Sequence, residues 1–154
     1  EARAMLDREP NPLLAGLRRG RIHSVMGNPS EARKEWQRVA HLDPNEFEYG
    51  HEGWVEAVLR LGDPLPALRW LQHSLRERFS LRLLILSGVG WAMYGDAEAA
   101  AALLQQAIGL SRYQRPPKQK LDSSDWRLLD THVRDDEIKK ALKPYFAVVE
   151  TLWR

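Results

Sequence analysis

Met26-Gly27-Asn28-Pro29 returns twice along the chain, as Leu61-Gly62-Asp63-Pro64 and as Tyr94-Gly95-Asp96-Ala97, with the glycines 35 and then 33 residues apart. Outward from these turns, an alanine follows each glycine by five residues (Ala32, Ala67, Ala100). A bulky apolar residue stands four further on, at Trp36, Leu71 and Leu104. Seven residues before the turns sit Gly20, Val55 and Gly88. A second register agrees: Pro10 in Arg8-Glu9-Pro10-Asn11 and Pro44 in Leu42-Asp43-Pro44-Asn45 lie 34 apart. Self-similarity at such a period denotes stacked supersecondary units, each burying a face on the next.

The chemistry of each unit is helix–turn–helix. Glycine ends the first helix in a left-handed conformation that costs it nothing. Asn28, Asp63 and Asp96 are then placed as N-caps, with Pro29 and Pro64 at the first helical position, where a missing N–H is harmless. The alanines, with Gly20 and Gly88, are small where paired helices cross closely, and Trp36, Leu71 and Leu104 fill the space one turn on. The predicted pairs are 12–26 with 29–42, 46–61 with 64–78, and 81–94 with 97–112, after the tail of an unpaired helix at 2–8. Residues 112–121 hold Pro116-Pro117 and read as an irregular connection. Ser123, Ser124 and Asp125 cap a short helix near 125–133, and Asp135 caps a last one from 136 to about 153.

This spacing resembles the tetratricopeptide repeat, a helix pair of about 34 residues with small, aromatic and proline positions. The resemblance covers residues 1–112. It departs from the family where Gly16, His51 and Leu84 stand in place of the early Trp of each first helix, and where Phe79 and Arg112 replace the closing proline kept at Pro10 and Pro44. A related helical-hairpin array is the other fold open to these residues. The resemblance implies an all-α fold, a right-handed α-solenoid of helix pairs with a C-terminal capping helix. The expected organisation is an array over 1–112 that starts in a truncated half-repeat, a connection over 113–122 and a helical cap over 123–154. The start at Glu1 gives the expectation of a single compact unit excised from a longer protein.

In the last segment, Ile138, Leu142, Tyr145, Phe146, Val149, Leu152 and Trp153 form a wide apolar stripe at helical spacing. Pro144 inside it predicts a kink or a new start. One reading is a cap over the end of the array, which solenoids need. The other is a docking helix for a second chain. Of the six tryptophans, Trp36 and Trp91 fall at predicted core positions, while Trp54, Trp70, Trp126 and Trp153 are less decided.

Composition narrows function. The chain has 154 residues, 44% of them apolar and 29% charged, as a soluble folded chain does. Its 23 basic and 21 acidic residues give a net charge of +2, so the pI of about 9.1 is weak evidence for nucleic acid. With no Cys, a disulfide framework, a thiolate zinc site and a Cys nucleophile are excluded. No apolar run approaches the 18 or so residues of a membrane span. The compartment stays open, with the cytoplasm favoured over a secreted setting.

Catalytic constellations are sought without success. His23, His41, His51, His73 and His132 show no metal-ligand spacing; His51-Glu52 is followed by Gly53-Trp54-Val55 and lacks the second histidine of a zinc helix. Asp130-Thr131-His132 is able to orient an imidazole, but no nucleophile elbow accompanies it. Ser87-Gly88-Val89-Gly90 falls mid-helix, where its glycines serve packing. Arg18-Arg19-Gly20-Arg21 with Arg33 and Lys34, and Arg112, Arg115, Lys118 and Lys120, read as solvated helix faces and a connection rather than a phosphate-binding face. The chain is expected to be no enzyme, to take no cofactor or metal, and to bind no nucleic acid.

The resemblance places binding on the concave side, where first helices line a groove for an extended peptide or a partner helix. In the repeat register the groove residues are Leu17, Arg21 and Ser24, then Tyr49, Glu52, Glu56 and Leu59, then Arg82, Ile85, Val89 and Ala92. A subfamily's Lys, Asn and Arg clamp for a C-terminal carboxylate has no matching Asn here, and Glu52 and Glu56 oppose it. A peptide of mixed charge with an apolar anchor suits this set; internal pairing of some members is the competing reading. The expected function is a non-catalytic protein–protein interaction scaffold, with self-association open. The alternative is a regulatory, sensor or oligomerisation domain of a larger bacterial protein such as a transcription regulator or kinase.

Overall fold

A computed structural model describes residues 10–111, 128 and 130–152. Every regular element among them is helical, and no strand occurs among the described residues. The chain divides within the second repeat turn into two compact units, Glu1–Asp63 and Pro64–Arg154, so the helices expected to pair over 46–61 and 64–78 belong to different units.

In the first unit, α1 (Pro12–Val25) packs on α2 (Pro29–Ala40), and α3 (His51–Arg60) packs on both. Asn11 starts α1: its side-chain oxygen accepts from the backbone N–H of Leu13 at 3.0 Å and of Leu14 at 3.2 Å, and Pro12 holds the first position. Gly27, at φ 79°, ends it, and the Asn28 N–H closes back on the His23 carbonyl at 2.8 Å. Asn28 occupies the N-cap position of α2 but makes no side-chain capping bond. The close crossing of α1 and α2 rests on two glycines. A methyl group on Gly20 would overlap the Trp36 indole, and one on Gly16 the Val39 side chain.

α3 begins five residues later than the repeat predicts, and the reason is local. Pro44–Glu46 forms a 3-10 turn capped by Asp43, which accepts from Asn45 N–H at 2.9 Å. Gly50 then takes φ 89°, which a right-handed helix does not admit, with the Asn11 side chain seated against it. Asn11 Nδ2 donates to the Tyr49 carbonyl at 2.7 Å and ties this corner to the start of α1.

The second unit holds α4 (Leu65–Ser74), α5 (Leu81–Tyr94), α6 (Ala97–Ser111) and α7 (Asp136–Leu152), with α5 packed on α4 and on α6, and α6 on α7. α4 stops at Ser74 rather than 78, and Pro64 rather than Asp63 stands at its N-cap. Ser80 caps α5, its hydroxyl accepting from Leu83 N–H at 3.0 Å. Gly95, at φ 105°, ends α5, and Asp96 caps α6 by accepting from Ala99 N–H at 2.9 Å. A methyl on Gly88 would meet Leu104 at 3.1 Å and the Ala100 carbonyl at 3.4 Å.

α7 continues through Pro144 as one helix, so the new start that the proline allowed does not occur there. Pro144 and Lys140 are both exposed, so water reaches the carbonyl that the proline leaves without a helical donor. Asp135 accepts from Glu137 N–H at 2.9 Å, and Leu142 and Phe146 are buried. The helix tail at 2–8, the connection at 112–121, the Ser123–Asp125 caps, Trp126 and Trp153 lie outside the described residues, as do the side chains of Val149 and Leu152. No helix among the described residues is long and apolar enough to cross a membrane.

Candidate functional site

The predicted groove face is largely inward. In the first unit, Leu17, Glu56 and Leu59 are buried, Arg21 and Glu52 are half-buried, and Ser24 and Tyr49 are exposed. Tyr49 stands in the corner before α3 rather than on a helix. Arg21 and Glu56 do meet, but as an internal pair. Arg21 Nε donates to Glu56 Oε2 at 2.9 Å, and its Nη2 reaches Glu56 Oε1. Arg60 Nε donates to the same Oε2 at 2.9 Å. The Glu56 side chain is fully buried, so two guanidiniums supply the solvation that water does not. Arg60 also lies over the Trp36 ring, its Cζ 5.3 Å from the centroid.

A second such centre forms on α2. Glu35, mostly buried, accepts from Arg19 Nε at 3.1 Å and from Arg38 Nη1 at 2.8 Å. At the surface, the Lys34 ammonium hydrogen-bonded to Glu31 at 3.1 Å holds that carboxyl below the ordinary carboxylate range. Of the basic cluster of α1 and α2, Arg19, Arg21 and Lys34 are thus tied to carboxylates of their own unit.

In the second unit, Ile85, Val89 and Ala92 are buried, while Arg82 is half-buried. The accessible concavity involves another face of α5. Leu84, Ser87 and Trp91, spaced three and four apart, form its floor. On α4, Leu68, Leu71 and Gln72 make one wall, continued by Leu75, Arg76 and Phe79 in the turn beyond. Leu103 and Gln106 of α6 make the other. The cavity holds about 300 Å³. Trp91, expected in the core, is half-buried beside it, and its ring meets Tyr94 edge to face with centroids 5.8 Å apart. Phe79 is 46% exposed, a large apolar side chain left at the mouth.

Nothing in the register pointed to this groove, because the repeat alignment ranks α5 positions 82, 85, 89 and 92. The available signal was the stripe Leu68, Leu71 and Gln72 on α4, which continues past the helix end into Leu75 and Phe79. Trp36, Trp54 and Trp70 are buried.

Among the described residues, no group of three or more His, Asp or Glu side chains is placed to hold a metal ion. His51 is buried and its Nε2 lies 2.8 Å from the Phe47 carbonyl, which only accepts, so the ring donates. On α7, Lys139, Lys140 and Lys143 surround a surface hollow with Asp130, and Lys139 Nζ donates to the Asp130 carbonyl at 3.3 Å.

Compared with family models, with curated proteins and with solved structures, the chain gives no match in any of the three.

Proposed function

We propose that the chain is a non-catalytic protein-interaction module, a short tetratricopeptide-like array of the right-handed solenoid kind, that binds a peptide of a partner protein. The observation that supports this reading is a hairpin built the same way twice, α1 with α2 and α5 with α6. Gly27, Gly62 and Gly95 are all left-handed at matched positions. Gly20 and Gly88, also at matched positions, each receive the bulky side chain that stands nine residues after the following turn. Hairpins built this way hold rigid grooves without using a side chain for chemistry.

Of the predicted groove face, Ser24, Tyr49 and Glu52 are the residues that the first unit leaves open to a partner, with Arg82 half-open in the second. Arg21 and Glu56 are committed to each other and serve stability in this reading.

The test is a random-peptide display selection on the immobilised chain. A reproducible consensus, competed by free peptide of that sequence, is the expected result. Repeated selections that enrich no consensus overturn the reading.

A further inference from the structure

We infer that the partner peptide lies in the groove between α4, α5 and α6, as an extended segment with two apolar anchors and a carboxylate at the Arg76 end. This rests on the interaction-module reading above and moves its site away from the predicted face.

Three observations carry it. The first is size. A cavity of about 300 Å³ holds on the order of ten waters and sits at the small end of ligand pockets. Its floor, from Leu84 to Trp91, spans roughly 10 Å at the helical rise, about three residues of extended chain. That suits side chains at alternate positions of a strand better than the bulk of a helix. Phe79, half exposed at the mouth, gains a covering when an anchor enters.

The second is the polar pattern of the rim. Gln72 on α4 and Gln106 on α6 are both exposed and line the same cavity from different helices. A glutamine amide offers both donors and an acceptor, the complement of an extended peptide's unpaired N–H and C=O groups. A bound helix has already satisfied those groups internally and has no use for such a rim.

The third is charge. Arg76, exposed, is the charged residue that lines the groove. A guanidinium at that place favours a peptide with Asp or Glu beside its anchors.

The experiment uses fluorescein-labelled octapeptides with a Leu-x-Phe core, carrying Glu, Ser or Lys on the flanks, titrated by anisotropy against the full chain. The Glu-flanked peptide is expected to bind most tightly. Arg76→Glu is expected to weaken it by about tenfold and to restore the Lys-flanked peptide, a reversal that loss of fold does not produce. Gln72→Ala with Gln106→Ala is expected to weaken all three peptides alike. The groove inference is overturned if Arg76→Glu leaves the ranking unchanged, or if Tyr49→Ala with Glu52→Ala abolishes binding while Arg76→Glu does not. It is equally overturned if the display consensus is neither apolar nor acidic. In those cases the module reading stands on its own selection result. If selection enriches no peptide at all, the module reading falls, and this inference with it.

Discussion

With its carboxylate fully buried between Arg21 and Arg60, Glu56 holds the first unit at a point where water is excluded. Removing it leaves two guanidiniums facing a cavity, and breaking a buried pair from one side costs about 3–5 kcal/mol. Glu56→Ala is therefore expected to lower the unfolding free energy by that amount in urea titrations. Glu52→Ala, one turn away and half-buried, is expected to change it by less than about 0.5 kcal/mol. Equal effects would show that the network contributes nothing particular. The glycines give a second contrast of sign. In an open helical position, Gly→Ala stabilises by about 0.5–1 kcal/mol through propensity alone. Gly109 in α6 has nothing within 4 Å of an added methyl, and Gly109→Ala is expected to show that gain. Gly20→Ala is expected to lose about 1–3 kcal/mol instead, because the Trp36 indole occupies the space. Calorimetry of the two variants reads the sign directly, and a stabilised Gly20→Ala would remove the close-crossing account of α1 and α2.

At the scale of elements, the hairpin turns depend on backbone conformation rather than room. An added methyl on Gly95 meets nothing within 4 Å, yet φ is 105°. Gly95→Ala is thus expected to cost about 1–2 kcal/mol, and Gly95→Asn less, since Asn tolerates the left-handed region. If alanine proved neutral there by chemical denaturation, the turn would not be what ends α5. These turns were legible because glycine alone takes that conformation freely, so the residue type carries the geometry. For the same reason the C-terminal end of α5 was legible at Gly95. The start of α3 was not legible, since it hangs on Asn11 reaching the Tyr49 carbonyl, a bond between residues 38 apart in the chain. Side-chain caps were legible in type only: Asp96 makes its bond, whereas Asn28 occupies its place without one. The register also brought Arg21 and Glu56 to one face, but a periodic pattern does not say whether two opposite charges wait for a partner or satisfy each other. Trp91 shows the same limit from the apolar side. Its spacing is that of a core residue, and only the gap between α4 and α6 decides that it lines a groove.

For the molecule as a whole, the question that charge poses is whether the basic residues form a surface for phosphates. In the first unit Arg19, Arg21, Lys34, Arg38 and Arg60 each face a carboxylate of the same unit, at Glu35, Glu56 or Glu31. A cation so paired presents little net field beyond a Debye length of about 8 Å at physiological salt, and few condensed counterions are released by bringing it to a phosphate. In the second unit residues 64–95 carry Arg69, Arg76, Arg78 and Arg82, and α7 carries Lys139, Lys140 and Lys143 with Asp135, Asp136 and Glu137 at its start. Non-specific nucleic-acid binders reach dissociation constants of about 1–100 µM at physiological salt through many such contacts. A labelled 20-nucleotide RNA or the matching DNA duplex is therefore expected to show no saturation with this chain below about 100 µM at 150 mM salt. Lowering the salt is expected to produce only shallow binding, with a log–log slope corresponding to one or two phosphates at about 0.9 per contact on duplex. A steep slope with micromolar affinity would mean that the basic side chains act together rather than in internal pairs. The Arg76→Glu variant would then separate the α4–α5 arginines from the rest, because a single rim charge shifts such a slope by about one contact while leaving the Glu56 network intact.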